Sequence, residues 1–185
     1  MRRFSTLALS LLLFGAIGAA VFGQAKSLAI TTNKTVVDGV VNAGEYSFTQ
    51  DFGELSLSVN RTADALYLAA VGKTTGWVSV GLGSMKMDGS TIFIGFVGAD
   101  GKVQFKAQAG SGHSHKDVGA DVAGTIISSQ MKESGGTTTL EIALRPAAYI
   151  KSGQTELQII YAQGTEKSFL PRHMFRGAIS LALGK

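Results

Sequence analysis

Cysteine is absent from all 185 residues, and this removes several chemistries at once. Iron–sulfur clusters, thiolate-bound zinc, thiol nucleophiles and covalently attached c-type haem all need a sulfur that the chain does not have. Proline is scarce as well, with 2 residues against 24 glycines, a balance that suits an antiparallel sheet protein rich in tight turns. A strong charge of one sign is also missing. Without Arg2 and Arg3 there are 15 basic residues against 13 acidic ones, a net charge of +2, which is too weak a bias to argue for nucleic acid. After Phe22 no further long apolar run occurs, so nothing downstream reads as a membrane span.

The one long apolar run is N-terminal. Met1-Arg2-Arg3 precedes an apolar stretch from Leu7 to Phe22 and then the small-residue pattern around Gly23-Gln24-Ala25. A basic start, an apolar middle and small residues at the end are the three parts of a secretory signal peptide. Residues 1–23 are read as that leader, with cleavage after Gly23 or after Ala25 both fitting. The run is shorter than the roughly 20 residues a spanning helix needs, so no stable membrane span is expected once the leader is removed. The expected address is the periplasm or the extracellular space. Residues 24–35 form a lead-in, and 36–185 are expected to form one domain of ordinary size.

From Val36 onward the pattern is that of strands. Leu55, Leu57 and Val59 alternate with Ser56, Ser58 and Asn60, the period-2 signature of a strand with one buried face. Trp77 to Leu82 and Thr91 to Val97 are apolar β-runs separated by a Gly-rich loop that carries Met85 and Met87. Val36 to Val41 reads as a strand broken at Asp38-Gly39, Gly110 to Ala120 as a long polar loop, and Ser134-Gly135-Gly136 as a hairpin turn. Only Arg145 to Ile150 suggests a helical turn, with Pro146 at its first position. About ten strands with turns every 8–12 residues or so predict an all-β antiparallel sandwich of immunoglobulin-like type.

Catalytic signals are missing. The carboxylates sit mostly at expected turns or strand ends, no Ser-His-Asp order can be defended on spacing, and no acid/base dyad stands out. The chain therefore reads as a binding protein rather than an enzyme. Two softer constellations remain. His113-Ser114-His115 would put both imidazoles on one side of an extended segment, and Met85 and Met87 share that spacing, so the four side chains are a candidate copper site. Against this, a Gly/Ser-rich loop is usually just solvated, and methionine is often only packing that fills irregular gaps.

Several short motifs together carry a family likeness. Val37-Asp38-Gly39 with Gly44-Glu45-Tyr46, Gly76-Trp77-Val78-Ser79-Val80-Gly81-Leu82, Met87-Asp88-Gly89-Ser90-Thr91-Ile92-Phe93, Asp100-Gly101-Lys102-Val103 and His173-Met174-Phe175-Arg176-Gly177 resemble a DOMON domain from about Val36 to Leu183. The resemblance implies a secreted β-sandwich that binds haem or sugar, similar to the b-type cytochrome domain of cellobiose dehydrogenase. In the cytochrome members a methionine after the Trp-bearing strand and a histidine near the C-terminus hold haem b, and those positions match Met87 and His173. Met85 competes for the sulfur position.

On that likeness an apolar wall from Trp77, Phe93, Phe96 or Phe175 would line the haem, and Arg176, or Lys86 or Arg172, would face its propionates. Electron transfer to a redox partner protein is the function implied. The alternative is a carbohydrate-binding DOMON module without haem, which would use exposed aromatics such as Trp77 or Tyr161.

Overall fold

The computed structural model of the protein describes residues 27–170 and 172–184; the expected leader lies outside the described residues. Twelve strands and two single-turn helices follow one another along the described chain. The strands are β1 (Ser27–Leu28), β2 (Phe48–Asp51), β3 (Leu55–Arg61), β4 (Leu66–Gly72), β5 (Val78–Leu82), β6 (Thr91–Val97), β7 (Val103–Ser111), β8 (Ser114–Asp117), β9 (Ile126–Ser134), β10 (Thr137–Leu144), β11 (Glu156–Gln163) and β12 (Phe175–Leu183). The helices are α1 (Ala120–Ala123) and α2 (Pro146–Tyr149), the latter with proline in its first turn as expected. Two sheets form a sandwich. One has the order β1-β12-β11-β5-β6-β7-β8, the other β2-β3-β4-β10-β9, and only the β1–β12 pairing is parallel. No helix among the described residues is long and apolar enough to cross a membrane.

The interior follows from alternation. Leu57 and Val59 of β3, Leu66 and Leu68 of β4, Val78 and Val80 of β5, Phe93 of β6, Leu140 and Ile142 of β10, and Leu157 and Ile159 of β11 meet between the sheets, all at most 1% exposed. Each such side chain contributes on the order of 1.5–3 kcal/mol through its removal from water.

Two sequence expectations fail on the outside of the five-stranded sheet. Residues 36–41 form no strand, and Ser58 and Asn60, expected to face solvent, are buried. A connection over residues 31–46 covers that face, and polar partners within it satisfy the covered groups: Asn60 Nδ2 donates to the Asn33 carbonyl at 2.9 Å. Tyr46, Tyr67, Ala65, Ala69 and Ala143 form a second apolar cluster beneath it, with Val37 and Val41 packed on top.

What holds the connection in place is a carboxylate. Glu141, in the middle of β10 and fully buried, accepts hydrogen bonds from the backbone N–H groups of Asp38 (3.0 Å), Gly39 (2.7 Å) and Val40 (3.1 Å) and from the Tyr46 hydroxyl (2.6 Å). Three amides that a strand would have given to a neighbouring strand go instead to one side chain. Gly39 sits at φ +85°, a region that side chains rarely adopt, and a Cβ there would come within 2.9 Å of Lys132 Cβ. Burial pushes the Glu141 carboxyl above its ordinary range against the pull of its donors, and burial with this carboxylate alongside pushes the Tyr46 phenol up. Glu141 is an exception to the expectation that the carboxylates sit mostly at solvated turns and strand ends.

The expected polar loop over Gly110 to Ala120 is largely a hairpin. Strand β7 runs on to Ser111, β8 returns antiparallel with Gly110 opposite His115, and Gly112 and His113 form the turn.

Removing the clamp should loosen the covering connection. Glu141→Ala is expected to cost about 3 kcal/mol or more, since it orphans three amides and a hydroxyl, and Tyr46→Phe about 1 kcal/mol. Urea unfolding followed by tryptophan fluorescence measures both. A Glu141→Ala protein as stable as the parent would mean that residues 36–46 pack without the carboxylate.

Candidate functional site

The central strands of the seven-stranded sheet are apolar on both faces. While Phe93 points inward, its neighbours Ile92 and Ile94, together with Phe96, point outward and join Trp77 in an apolar cluster outside the sandwich. Ile160 and Ala162 of β11 and Met87 and Phe169 from two loops pack against that cluster. The register places small residues among them: Gly81 lies between Ile92 and Ile160, and Ala178 lies opposite Ile160. The result is a flat apolar floor with loops at its margin.

The first of those loops joins β5 to β6 and is fixed by its own polar groups. Ser90 Oγ donates to the Lys86 carbonyl at 2.5 Å, Lys86 N–H donates to Ser84 Oγ at 3.1 Å, and Ser90 N–H donates to the Met87 carbonyl at 3.1 Å. It is also tied to the β7–β8 hairpin, where Gly112 N–H donates to Asp88 Oδ1 at 2.8 Å and Gly89 N–H to the Gly110 carbonyl at 3.2 Å. Gly110 has to be glycine for this seating, because a Cβ there would overlap the Met87 carbonyl oxygen. The two methionines are thereby distinguished. Met87 is half-buried against the apolar floor, whereas Met85 is 41% exposed.

The second loop runs from Gly164 to Met174 and carries His173. Backbone bonds fasten it at both ends: Gly164 N–H to the Trp77 carbonyl (3.0 Å), Trp77 N–H to the Glu166 carbonyl (3.2 Å) and Met174 N–H to the Gln163 carbonyl (2.8 Å). Between them Phe169 lies on Phe96, ring centroids 4.9 Å apart at 54°, with Lys106 Nζ 5.2 Å above its ring. His173 is exposed at the end of this segment. Partial burial first, then the positive charges of Arg176 and Arg172, lower its pKa below the usual imidazole value, so the neutral, ligating form is favoured near pH 7. Arg176 alternates outward with Ala178, while Phe175 and Ile179 pack on the interior.

The other expected residues fall as follows. Trp77 is 5% exposed and belongs to the outer cluster, and its indole Nε1–H has no acceptor among the described residues. Phe93 is fully buried in the interior, edge-on to Tyr149 at 6.0 Å, so it faces away from the floor it was expected to line; parity along β6 assigns that place to Ile92, Ile94 and Phe96. Tyr161 is also interior, stacked on Phe52 at 4.4 Å, and neither it nor Trp77 offers an open ring face of the kind a sugar stacks on. Ile160 and Ala162, floor residues on β11, and Phe169, from the loop that covers them, were missed by the sequence reading: the outward parity of the first two was visible, but not that a loop would return over them.

The candidate copper set is not built as expected. His113 occupies the turn, so it and His115 do not share an extended segment. His115 Nδ1 is 2.6 Å from Gln108 Oε1, whose amide group donates to Asp117 Oδ1 at 2.8 Å, and Lys106 donates to Asp117 Oδ2 at 3.1 Å. These hydrogen bonds, first from Gln108 and then from Lys106, hold Asp117 below the ordinary carboxylate range. Among the described residues no three His, Cys, Asp or Glu side chains group as a metal site.

A depression of about 590 Å³ lies at the end of the sandwich between Gly83, Thr91, Tyr149 and Gln158. Polar side chains at its rim are turned to nearby backbone: Lys151 Nζ donates to the Ala147 and Ala148 carbonyls, and Gln154 Nε2 to that of Glu156.

No protein-family model and no curated protein matches the sequence. Among solved structures, the cytochrome b domain of pyranose dehydrogenase from Coprinopsis cinerea is similar over 73% of this chain and 80% of its own, at 13% identity and a TM-score of 0.52. The cytochrome domain of Myriococcum thermophilum cellobiose dehydrogenase covers 74% of this chain and 81% of its own, at 11% identity and a TM-score of 0.49. A family 9 carbohydrate-binding module from Caldicellulosiruptor kristjanssonii in complex with glucose covers 86% and 96%, at 10% identity and a TM-score of 0.49. Identities this low speak to the β-sandwich fold alone, and the first of these structures shares that fold with this chain.

Proposed function

We propose that this chain is an exported DOMON-type β-sandwich that binds haem b on the outer face of its seven-stranded sheet and serves in electron transfer, without being an enzyme by itself. The observation that carries the reading is convergence. Met87 and the segment bearing His173, which are 86 residues apart in sequence, both border one apolar floor.

The residues present suit the group. A thioether and a neutral imidazole are a ligand pair for haem iron, and the floor of Ile92, Ile94, Phe96, Ile160 and Ala162 is apolar. Arg176 and Arg172 supply positive charge for propionates. A chain without cysteine would hold haem non-covalently. Haem held by Met87 and His173 would supply one-electron chemistry rather than oxygen activation. The protein's own contribution is then to exclude water from the floor, to hold the thioether in place through the Gly83–Ser90 loop, and to keep the imidazole unprotonated.

The test is an absorption spectrum of the mature protein, expressed with its leader and ample haem, in oxidised and dithionite-reduced forms. Sharp reduced α and β bands are expected, lost in His173→Ala and Met87→Ala but kept in Met85→Ala. A folded protein that stays colourless on haem titration would end the haem reading and leave the sugar-binding alternative, to be pursued on glycan arrays.

The loop geometry adds a prediction. Gly110→Val should displace the Met87 carbonyl and weaken haem binding by about tenfold or more, a loss of about 1.4 kcal/mol, while Lys102→Ala, at an exposed turn, should not. Haem affinity by titration of the haem-free protein reads this.

Protonated imidazole is no ligand, and His173 protonates only below its ordinary value near 6.5, so the reduced spectrum should persist at pH 6.5 and fade as the solution is made more acid. In Arg172→Gln, which removes one of the positive charges that lower the pKa, fading should begin at a higher pH.

A further inference from the structure

We propose that the exposed segment around His173 is a docking surface for an acidic electron-transfer protein; the nature of the partner rests on the haem reading, while the surface itself does not. Leu170 is 94% exposed and Met174 72% exposed, more than any other large apolar side chain among the described residues. One exposed leucine is ordinary, but these two flank His173 on one short segment together with Arg172 and Arg176, both exposed. Neither arginine is in an ion pair among the described residues, whereas Lys102, Lys106 and Lys167 are paired with Asp100, Asp117 and Glu133.

Exposed leucine and methionine beside unpaired arginines make a surface of the composition found at protein interfaces, where arginine and methionine are both enriched. The sign of the charge selects a partner rich in carboxylates. Complementary charge of this kind raises the encounter rate and sets orientation, which suits brief contacts between electron carriers. A membrane fits less well: the segment offers two apolar side chains and no amphipathic helix to lie in an interface. The position also serves the exchange. One electron passes between the partner's cofactor and the haem-loaded chain, one being oxidised as the other is reduced, and no bond is made or broken.

The test uses the 15N-labelled mature protein, first without haem and then loaded. The probe is a bacterial flavodoxin, an acidic electron-transfer protein, and vesicles of phosphatidylglycerol are titrated in parallel. Flavodoxin is expected to shift the amides of Leu170 and of residues 172–176. Its affinity should fall at least about fivefold in Arg172→Glu and about threefold in Leu170→Ser, and again between about 20 and about 200 mM salt. Both substituted side chains are exposed, so the fold should survive, and the unchanged amide spectrum of β5 and β6 checks this.

Shifts spread over other lysines with affinity unchanged in Arg172→Glu would overturn the proposal. So would vesicle binding lost in Arg172→Glu while flavodoxin leaves the spectrum untouched. A protein that docks flavodoxin as described yet takes up no haem would support the surface and refute the haem reading.

Discussion

The structure depends on β6 being apolar on both faces. In Ile92-Phe93-Ile94-Gly95-Phe96, Phe93 enters the core while Ile92, Ile94 and Phe96 go to the outside, and all four are at most 8% exposed. A sheet with one wet face would put polar residues at those outward positions. An outer apolar face needs a cover, because leaving three large side chains in water would forgo several kcal/mol of burial. Two loops supply it, the methionine loop from one side and the Gly164–Met174 segment with Phe169 from the other. The candidate site is therefore a consequence of how the sheet is closed.

The opposite sheet meets a similar demand differently. Its outer face is covered by the connection over residues 31–46, held by hydrogen bonds to Glu141, with apolar contacts from Val37 and Val41. A charged group under a covering layer is tolerable only when its acceptor sites are filled, and four donors meet Glu141. That face is covered by the connection, and the proposed site lies on the other.

Much of this was legible in the chain. Period-2 alternation in β3 and β11, glycine at the turns and the apolar runs of β5 and β6 were enough for a β-sandwich, because side-chain parity along a strand is a local property. Parity also sufficed to send Phe93 and Ile92 to opposite faces, yet which face is the interior depends on the partner sheet, and Phe93 was accordingly expected on the wrong side. Residues 36–41 were misread as a strand because Val-Val-Asp-Gly-Val-Val has strand composition, while the donors' partner, Glu141, lies about 100 residues further on. His113 and His115 illustrate the same limit on a small scale: their spacing was plain, but a hairpin turn at Gly112 separates their environments.

The two margins of the floor are not built alike, and the difference bears on how a ligand would be taken up. Met87 belongs to a loop with internal hydrogen bonds at 2.5 to 3.1 Å, tied further to Gly110 and Gly112, so its position is set before any ligand arrives. His173 stands exposed beside Met174 in a segment whose own backbone bonds lie at Gly164, Glu166 and Met174, with Phe169 resting on the floor in between. Pre-organising one side lowers the ordering cost of binding, because only the other side must adjust. A large planar group could enter between the floor and this segment only if Phe169 gave way, which costs an aromatic contact of about 0.5–1.5 kcal/mol and the cation–π contact with Lys106. That is small against the burial a large apolar ring system would gain, so the arrangement favours a firm thioether side and an adjustable imidazole side over two rigid walls.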